Sequence, residues 1–172
     1  MKKELLVVLV TLIAATSLLI GLMILFYSSM PSEAERTVIG ASDLAGYAQG
    51  DSGEQGADSL GEANLTSGAY SILSNNGSWV LAQLLIFNSK EACEDYFQPW
   101  PHFGIQVGDE SLGYYDNSSG TSEYRLVFIK KNVFVDFSVR SYASDPRSIA
   151  LELAQVQIQK VDQYLARHPG AS

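Results

Sequence analysis

The chain has little with which to do covalent or metal chemistry: one cysteine, Cys93, and two histidines, His102 and His168, in 172 residues. A lone cysteine forms no intramolecular disulfide, so no framework of cross-links holds the fold. One Cys and two distant His give no zinc spacing, and no Gly-rich phosphate loop is present. Positive charge is also short, with 11 Lys plus Arg against 19 Asp plus Glu. Setting aside Lys2, Lys3 and Glu4, residues 31–172 carry 9 basic and 18 acidic residues, a formal charge of −9. That balance argues against nucleic acid or anionic lipid as a partner held by bulk charge.

Arrangements for nucleophilic catalysis fail on inspection. A Cys93–His102 pair can be drawn, but Cys93 falls on the buried side of a short helix and reads as a packed, inert thiol. The run Gly108-Asp-Glu-Ser111-Leu-Gly113 departs from G-x-S-x-G by one residue and lacks the strand-to-helix setting of a nucleophile elbow. Gly108-Asp109 reads instead as a turn with a side-chain-capped backbone. Asp109 and Glu110 are adjacent, so on a strand they point to opposite faces and share no proton-transfer task. No catalytic, cofactor-binding or metal-binding residue is assigned, and no cofactor is expected.

What the sequence does have is one long apolar run. Leu5 to Tyr27 is 23 residues without a charge; at about 1.5 Å per residue it reaches roughly 34 Å, against about 30 Å of hydrocarbon. A cleaved signal has a shorter apolar region and a small-x-small site, and a lipoprotein needs a Cys just after the run. Neither is met, so an uncleaved anchor is expected. Lys2 and Lys3 before the run, against Glu33 and Glu35 after it, place the N-terminus in the cytoplasm and the rest outside. The expected division is a cytoplasmic tip at 1–4, a transmembrane anchor at 5–27, an acidic Gly/Ser-rich linker or loop at 28–67, and an extracytoplasmic α+β domain at 68–172. Membrane lipid is then a partner through residues 5–27. Ser17-x-x-x-Gly21 is a small-x-x-x-small pair that would let two such helices dimerise.

The linker assignment rests on composition, with six glycines between Gly40 and Gly61. Within it, Asp51 to Asp58 does not match the spacing of a calcium loop. Beyond it the pattern is β. Tyr70 to Ser74 and Trp79 to Phe87 flank Asn76-Gly77, a hairpin signal of the type I′ kind. The second of these runs is apolar on both faces, as a central strand requires. A helix starts at Asn88 or Ser89 and presents Ala92, Cys93, Tyr96 and Phe97, and Pro99 and Pro101 stop it. Phe103 to Val107 and a segment through Tyr115 read as short strands. Tyr124 to Lys130 and Val133 to Arg140 pair about Lys131-Asn132, setting Leu126 opposite Phe137 and Glu123 opposite Arg140. Ser144-Asp145-Pro146 then opens a helix to about Arg167 with an apolar stripe from Ala150 to Leu165. The expected fold class is α+β: an N-terminal transmembrane helix, then an antiparallel sheet of five or six strands with two helices packed on one face.

The succession Val107-Gly-Asp-Glu-Ser111, then Tyr124 to Val139, then a closing Leu-Ala helix resembles membrane-anchored or lipoprotein domains of archaea and bacteria, of the PsbP and mycobacterial sensor or LpqN type. The resemblance covers Tyr70 to Leu165. It implies an extracytoplasmic α+β domain and transfers no catalytic residue.

The functional expectation is a non-catalytic binding, sensor-like or accessory-subunit domain, with another membrane or surface protein as partner. The alternative is a cell-surface hydrolase with an unrecognised site. Trp100, between two prolines in a rigid loop, is the candidate partner contact. Asn64, Asn76 and Asn117 satisfy N-x-[ST] and are candidate glycosylation sites. Asn117, in an Asn/Ser/Gly loop, is the expected best acceptor, because Asn76 sits inside a tight turn.

Overall fold

The structure is a computed structural model that describes residues 2–97, 105–116 and 122–170, with side chains in the first helix described from residue 12 to residue 26. The chain divides into two units, 1–31 and 32–172.

The first unit is helix α1, Lys2–Ser28. Its consecutive side chains from Leu22 to Phe26 are all more than half exposed, so that stretch is apolar on every side. Among the fully described residues no helix is long and apolar enough to cross a membrane. Residues 12–26 of α1 by themselves are shorter than the roughly 17–25 apolar residues a span takes.

The second unit is an α+β fold. Its elements are α2 (Glu33–Thr37), a 3₁₀ turn (Ala41–Asp43), β1 (Ala48–Glu54), α3 (Ala57–Leu60), β2 (Leu65–Asn75), β3 (Ser78–Phe87), α4 (Lys90–Tyr96), β4 (Glu110–Asp116), β5 (Glu123–Lys130), β6 (Val133–Ser141) and α5 (Pro146–Arg167). The strands form one antiparallel sheet in the order β1-β2-β3-β6-β5-β4. β3 and β6 lie at its centre because their apolar residues fall on both faces, which only a doubly covered position rewards.

The β5–β6 register is the expected one, with Leu126 opposite Phe137 and Glu123 opposite Arg140. The β2–β3 hairpin turns at Asn76-Gly77, as expected. Only Gly77 takes positive φ, 108°, so the type I′ turn, which needs positive φ at both residues, is not formed. In the next hairpin Lys131 takes positive φ, while Asn132 turns inward, its Nδ2 donating to Phe87 O and its own carbonyl accepting from Phe87 N. That exchange stitches the β5–β6 turn to the end of β3.

Two expectations are corrected. Residues 32–67 are not a linker: they supply α2, β1, α3 and the start of β2. Ser32 and Glu35 close a capping box on α2, and Ala34, Val38 and Ile39 are buried in the main core. Glycines at 50 and 53 let β1 lie close against Ile72 and Tyr70 of β2, where an added Cβ would already sit 3.3 Å from a side chain. Composition marked this stretch as loose because a few core residues and a backbone ladder leave almost no trace in average polarity.

The second correction concerns the helices. α5 and α2 share one face of the sheet, over Val80, Leu84, Leu126, Phe137 and Val139. α4 packs on the other, where Cys93 and Phe97 meet Leu85, Phe87, Ile129 and Phe134. β3 is apolar on both faces, and the helices divide its cover between them, α5 and α2 on one side and α4 on the other. The N-cap of α4 is Ser89, whose Oγ accepts from Ala92 N. Asp145 caps α5 with Pro146 in its first turn, as expected. The expected strand Phe103–Val107 is not formed over 105–107, and its first two residues lie outside the described residues.

α5 carries the most consequential polar side chain. Gln157 is fully buried on the core-facing stripe. Its Oε1 accepts from Ile39 N at 2.9 Å and its Nε2 donates to Thr37 O at 2.8 Å. One amide thus satisfies both backbone groups of the extended segment that leaves α2, as a neighbouring strand would. Ion pairs Lys160–Asp43 (2.7 Å) and Lys130–Asp162 fasten the same helix to the 3₁₀ turn and to β5.

Candidate functional site

α3 and α4 cover only one end of their face of the sheet, around Leu85, Phe87 and Phe134. Towards the Asn76 hairpin the same face continues through Trp79, Leu81 and Gln83 of β3 and Ile72 of β2, all half-buried. Alternation along the strands places Arg125, Glu123, Asp136, Ser138 and Arg140 beside them. Among the described residues no helix packs over this stretch, which leaves a half-buried apolar and charged surface.

Its charges are paired across strands. Arg125 Nε donates to both carboxylate oxygens of Asp136, at 3.0 and 3.1 Å, and its Nη2 donates to Asp136 as well. Asp136 is only 6% exposed, so this pairing is what makes its burial tolerable. The hydrogen bonding to Asp136 in turn pushes the Arg125 guanidinium further above its ordinary range. Glu123 accepts from Arg140 Nε at 2.6 Å and from Ser138 Oγ. The Arg140 guanidinium lies 5.3 Å from the centroid of the Trp79 ring, in cation–π contact. Both carboxylates are held by guanidinium groups, and the Ser138 hydroxyl donates to Glu123. The arrangement is a pre-organised polar ladder rather than a set of reactive groups.

The other residues singled out in the sequence fall elsewhere. Cys93 is fully buried, and burial pushes its thiol up to about 12, with Glu94 and Asp109 adding to the effect. Its paper partner His102 lies outside the described residues. Ser111 donates its hydroxyl proton to Ile105 O and accepts from Val107 N at 3.2 Å, so it holds a loop. Asp109 accepts from Lys131 N at 2.8 Å, so its carboxylate ties the Gly108-Asp109 turn to the distant β5–β6 turn. Gly108 has φ of 66°, and a Cβ there would meet Ile129 O at 2.4 Å. In the acidic stretch, Asp51 accepts from Ser52 N and from the Tyr70 hydroxyl. Among the described residues no group of three or more His, Cys, Asp or Glu could hold a metal ion. Asn64 and Asn76 are exposed. Trp100 and Asn117 lie outside the described residues.

Sequence reasoning missed the open half-face and the Gln157 clamp. The clamp had a signal: Gln157 sits midway between Leu153 and Val161 at i+4 spacing, a polar residue on an apolar stripe, which needs a buried partner.

Fold and site together define an α+β domain built on a six-stranded antiparallel sheet, with one face covered by helices and the other, among the described residues, covered by helices at one end. Its fold is similar to the extracellular domain of PknH from Mycobacterium tuberculosis, with a TM-score of 0.55 and 12% sequence identity, over 78% of this chain and 98% of that one. At that identity the likeness is one of fold. No protein-family model matches the chain, and none of the curated proteins matches it.

Proposed function

We propose that the protein is a single-pass membrane protein whose residues 5–27 anchor an extracytoplasmic, non-catalytic domain of sensor-like or accessory-subunit type. The domain works by binding, and its partner is another membrane or surface protein or a ligand recognised on the open half of the sheet. The observation that carries this reading is that the fold is similar, over 78% of this chain and 98% of the other, to a solved extracellular domain. The helix Lys2–Ser28 supports the anchor, being apolar on all described sides. The paired ladder around Arg125 and Glu123 supports a recognition surface rather than a reaction centre.

Protease added to intact cells or spheroplasts tests the topology. Degradation of everything after Pro31, leaving a short protected fragment, is the expected result; protection of the whole chain would overturn it. A mature N-terminus beginning after Tyr27 would show a cleaved signal in place of an anchor. Gentle solubilisation then tests the binding role, with a co-purifying partner expected from wild type and lost on Trp79→Ala.

A further inference from the structure

The N-x-[ST] triplets play no part in the sheet face, and the structure separates the two it describes. In Asn64-Leu65-Thr66, Asn64 is exposed in the turn that enters β2. Its backbone carbonyl accepts from Asn88 N at 2.9 Å and its Oδ1 accepts from Asn88 Nδ2 at 3.2 Å. These bonds occupy the acceptor atoms and leave the side-chain Nδ2 without a partner among the described residues. Thr66 is exposed as well: pairing passes from Leu65–Phe87 to Ser67–Ile86, so Thr66 falls in a β-bulge with no residue opposite it. Leu65 is buried beneath and holds the segment in place.

The triplet Asn76-Gly77-Ser78 is built differently. Asn76 is exposed, but Ser78 is only 8% exposed and its Oγ donates to Ser141 Oγ at 2.9 Å. The hairpin tip is pinned by Tyr142 N donating to Gly77 O at 2.8 Å. The hydroxyl that an acceptor triplet must present is therefore taken up by the fold.

We infer that Asn64 is an N-glycan acceptor presented by the folded domain, whereas Asn76 is closed to modification once the domain has folded. The co-reactant is a lipid-phosphate-linked oligosaccharide. Asn64 Nδ2 bonds to the anomeric carbon as the bond from that carbon to the phosphate oxygen breaks; Nδ2 gives up one proton and the lipid phosphate leaves with the electron pair. In the cell this rests on the outward topology proposed above, because the domain must reach the side where the donor is used.

The test uses the full chain, folded in detergent, alongside short synthetic peptides spanning each triplet. Both are incubated with an oligosaccharyl transferase and its lipid-linked donor, and glycopeptides are mapped by mass spectrometry. Both peptides are expected to be modified, and in the folded chain Asn64 is modified while Asn76 is not; Asn64→Gln removes the product. Failure of Asn64 in the folded chain, with or without modification of its peptide, overturns the inference, as does equal modification of Asn76. Protease shaving of intact cells reads topology separately, so an inward-facing domain would defeat the proposed function without altering the pattern on the purified chain.

Discussion

Replacing Gln157 with Leu keeps most of the side-chain volume and removes both hydrogen bonds to the segment after α2. Thr37 is 1% exposed and Ile39 is fully buried, so the orphaned Thr37 C=O and Ile39 N–H have no water to turn to. A buried polar group left unpaired costs about 1–3 kcal/mol, and there are two; the extra apolar burial of Leu returns part of this, leaving a loss of about 2–5 kcal/mol. Against a total stability of about 5–15 kcal/mol that is a large fraction. Urea unfolding of the full chain in detergent, followed by tryptophan fluorescence, should show the midpoint fall with little change in slope. Gln157→Glu sharpens the reasoning. Its carboxylate can accept from Ile39 N but cannot donate to Thr37 O until protonated. Burial and the facing carbonyl raise its folded-state pKa above the ordinary value of about 4.3, so the folded state binds the proton more tightly and the variant gains stability as pH falls through the raised folded pKa towards about 4.3. A Leu variant within about 0.5 kcal/mol of wild type, the usual range for surface substitutions, would refute the clamp, as would a Glu variant that loses stability faster than wild type on mild acidification.

Further outcomes follow from the core. Phe137→Ala should cost about 3–5 kcal/mol, because the ring is fully buried against Phe128 under α5. Ser138→Ala, one residue along on the half-covered face, loses one hydrogen bond to the Glu123 carboxylate, which Arg140 still holds, and should cost at most about 1.5–3 kcal/mol; a loss equal to or above that of Phe137→Ala in chemical denaturation would mean the register is wrong. With its thiol pushed up to about 12, Cys93 at pH 8 holds a thiolate fraction of about one in ten thousand. Alkylation by iodoacetamide should therefore be absent in the folded chain and appear on unfolding, and rapid labelling of the native protein would contradict the packing of α4.

Much of the sheet was legible from the residues alone. Apolar residues at every second position of Tyr124 to Lys130 and of Val133 to Arg140 set one wholly apolar face, and the register about Lys131-Asn132 kept it intact while bringing Glu123 to Arg140. Asn76-Gly77 marked a hairpin, and Asp145-Pro146 marked the start of a helix, because both act through local backbone preference. The long apolar run was equally plain. These are short-range signals, each carried by neighbours in sequence.

Only the tertiary structure decided the rest. Residues 32–67 became part of the fold through contacts made far along the chain: Gln157 reaches Thr37 and Ile39 across about 120 positions, and β1 gains its place from the backbone of β2 rather than from any side-chain pattern of its own. The side on which α4 packs was likewise undetermined, since β3 offers an apolar face in each direction and a short amphipathic helix fits either. Among the described residues, α3 and α4 reach only one end of that face of the sheet. Burial there is a property of what other segments fail to reach, which no local pattern records.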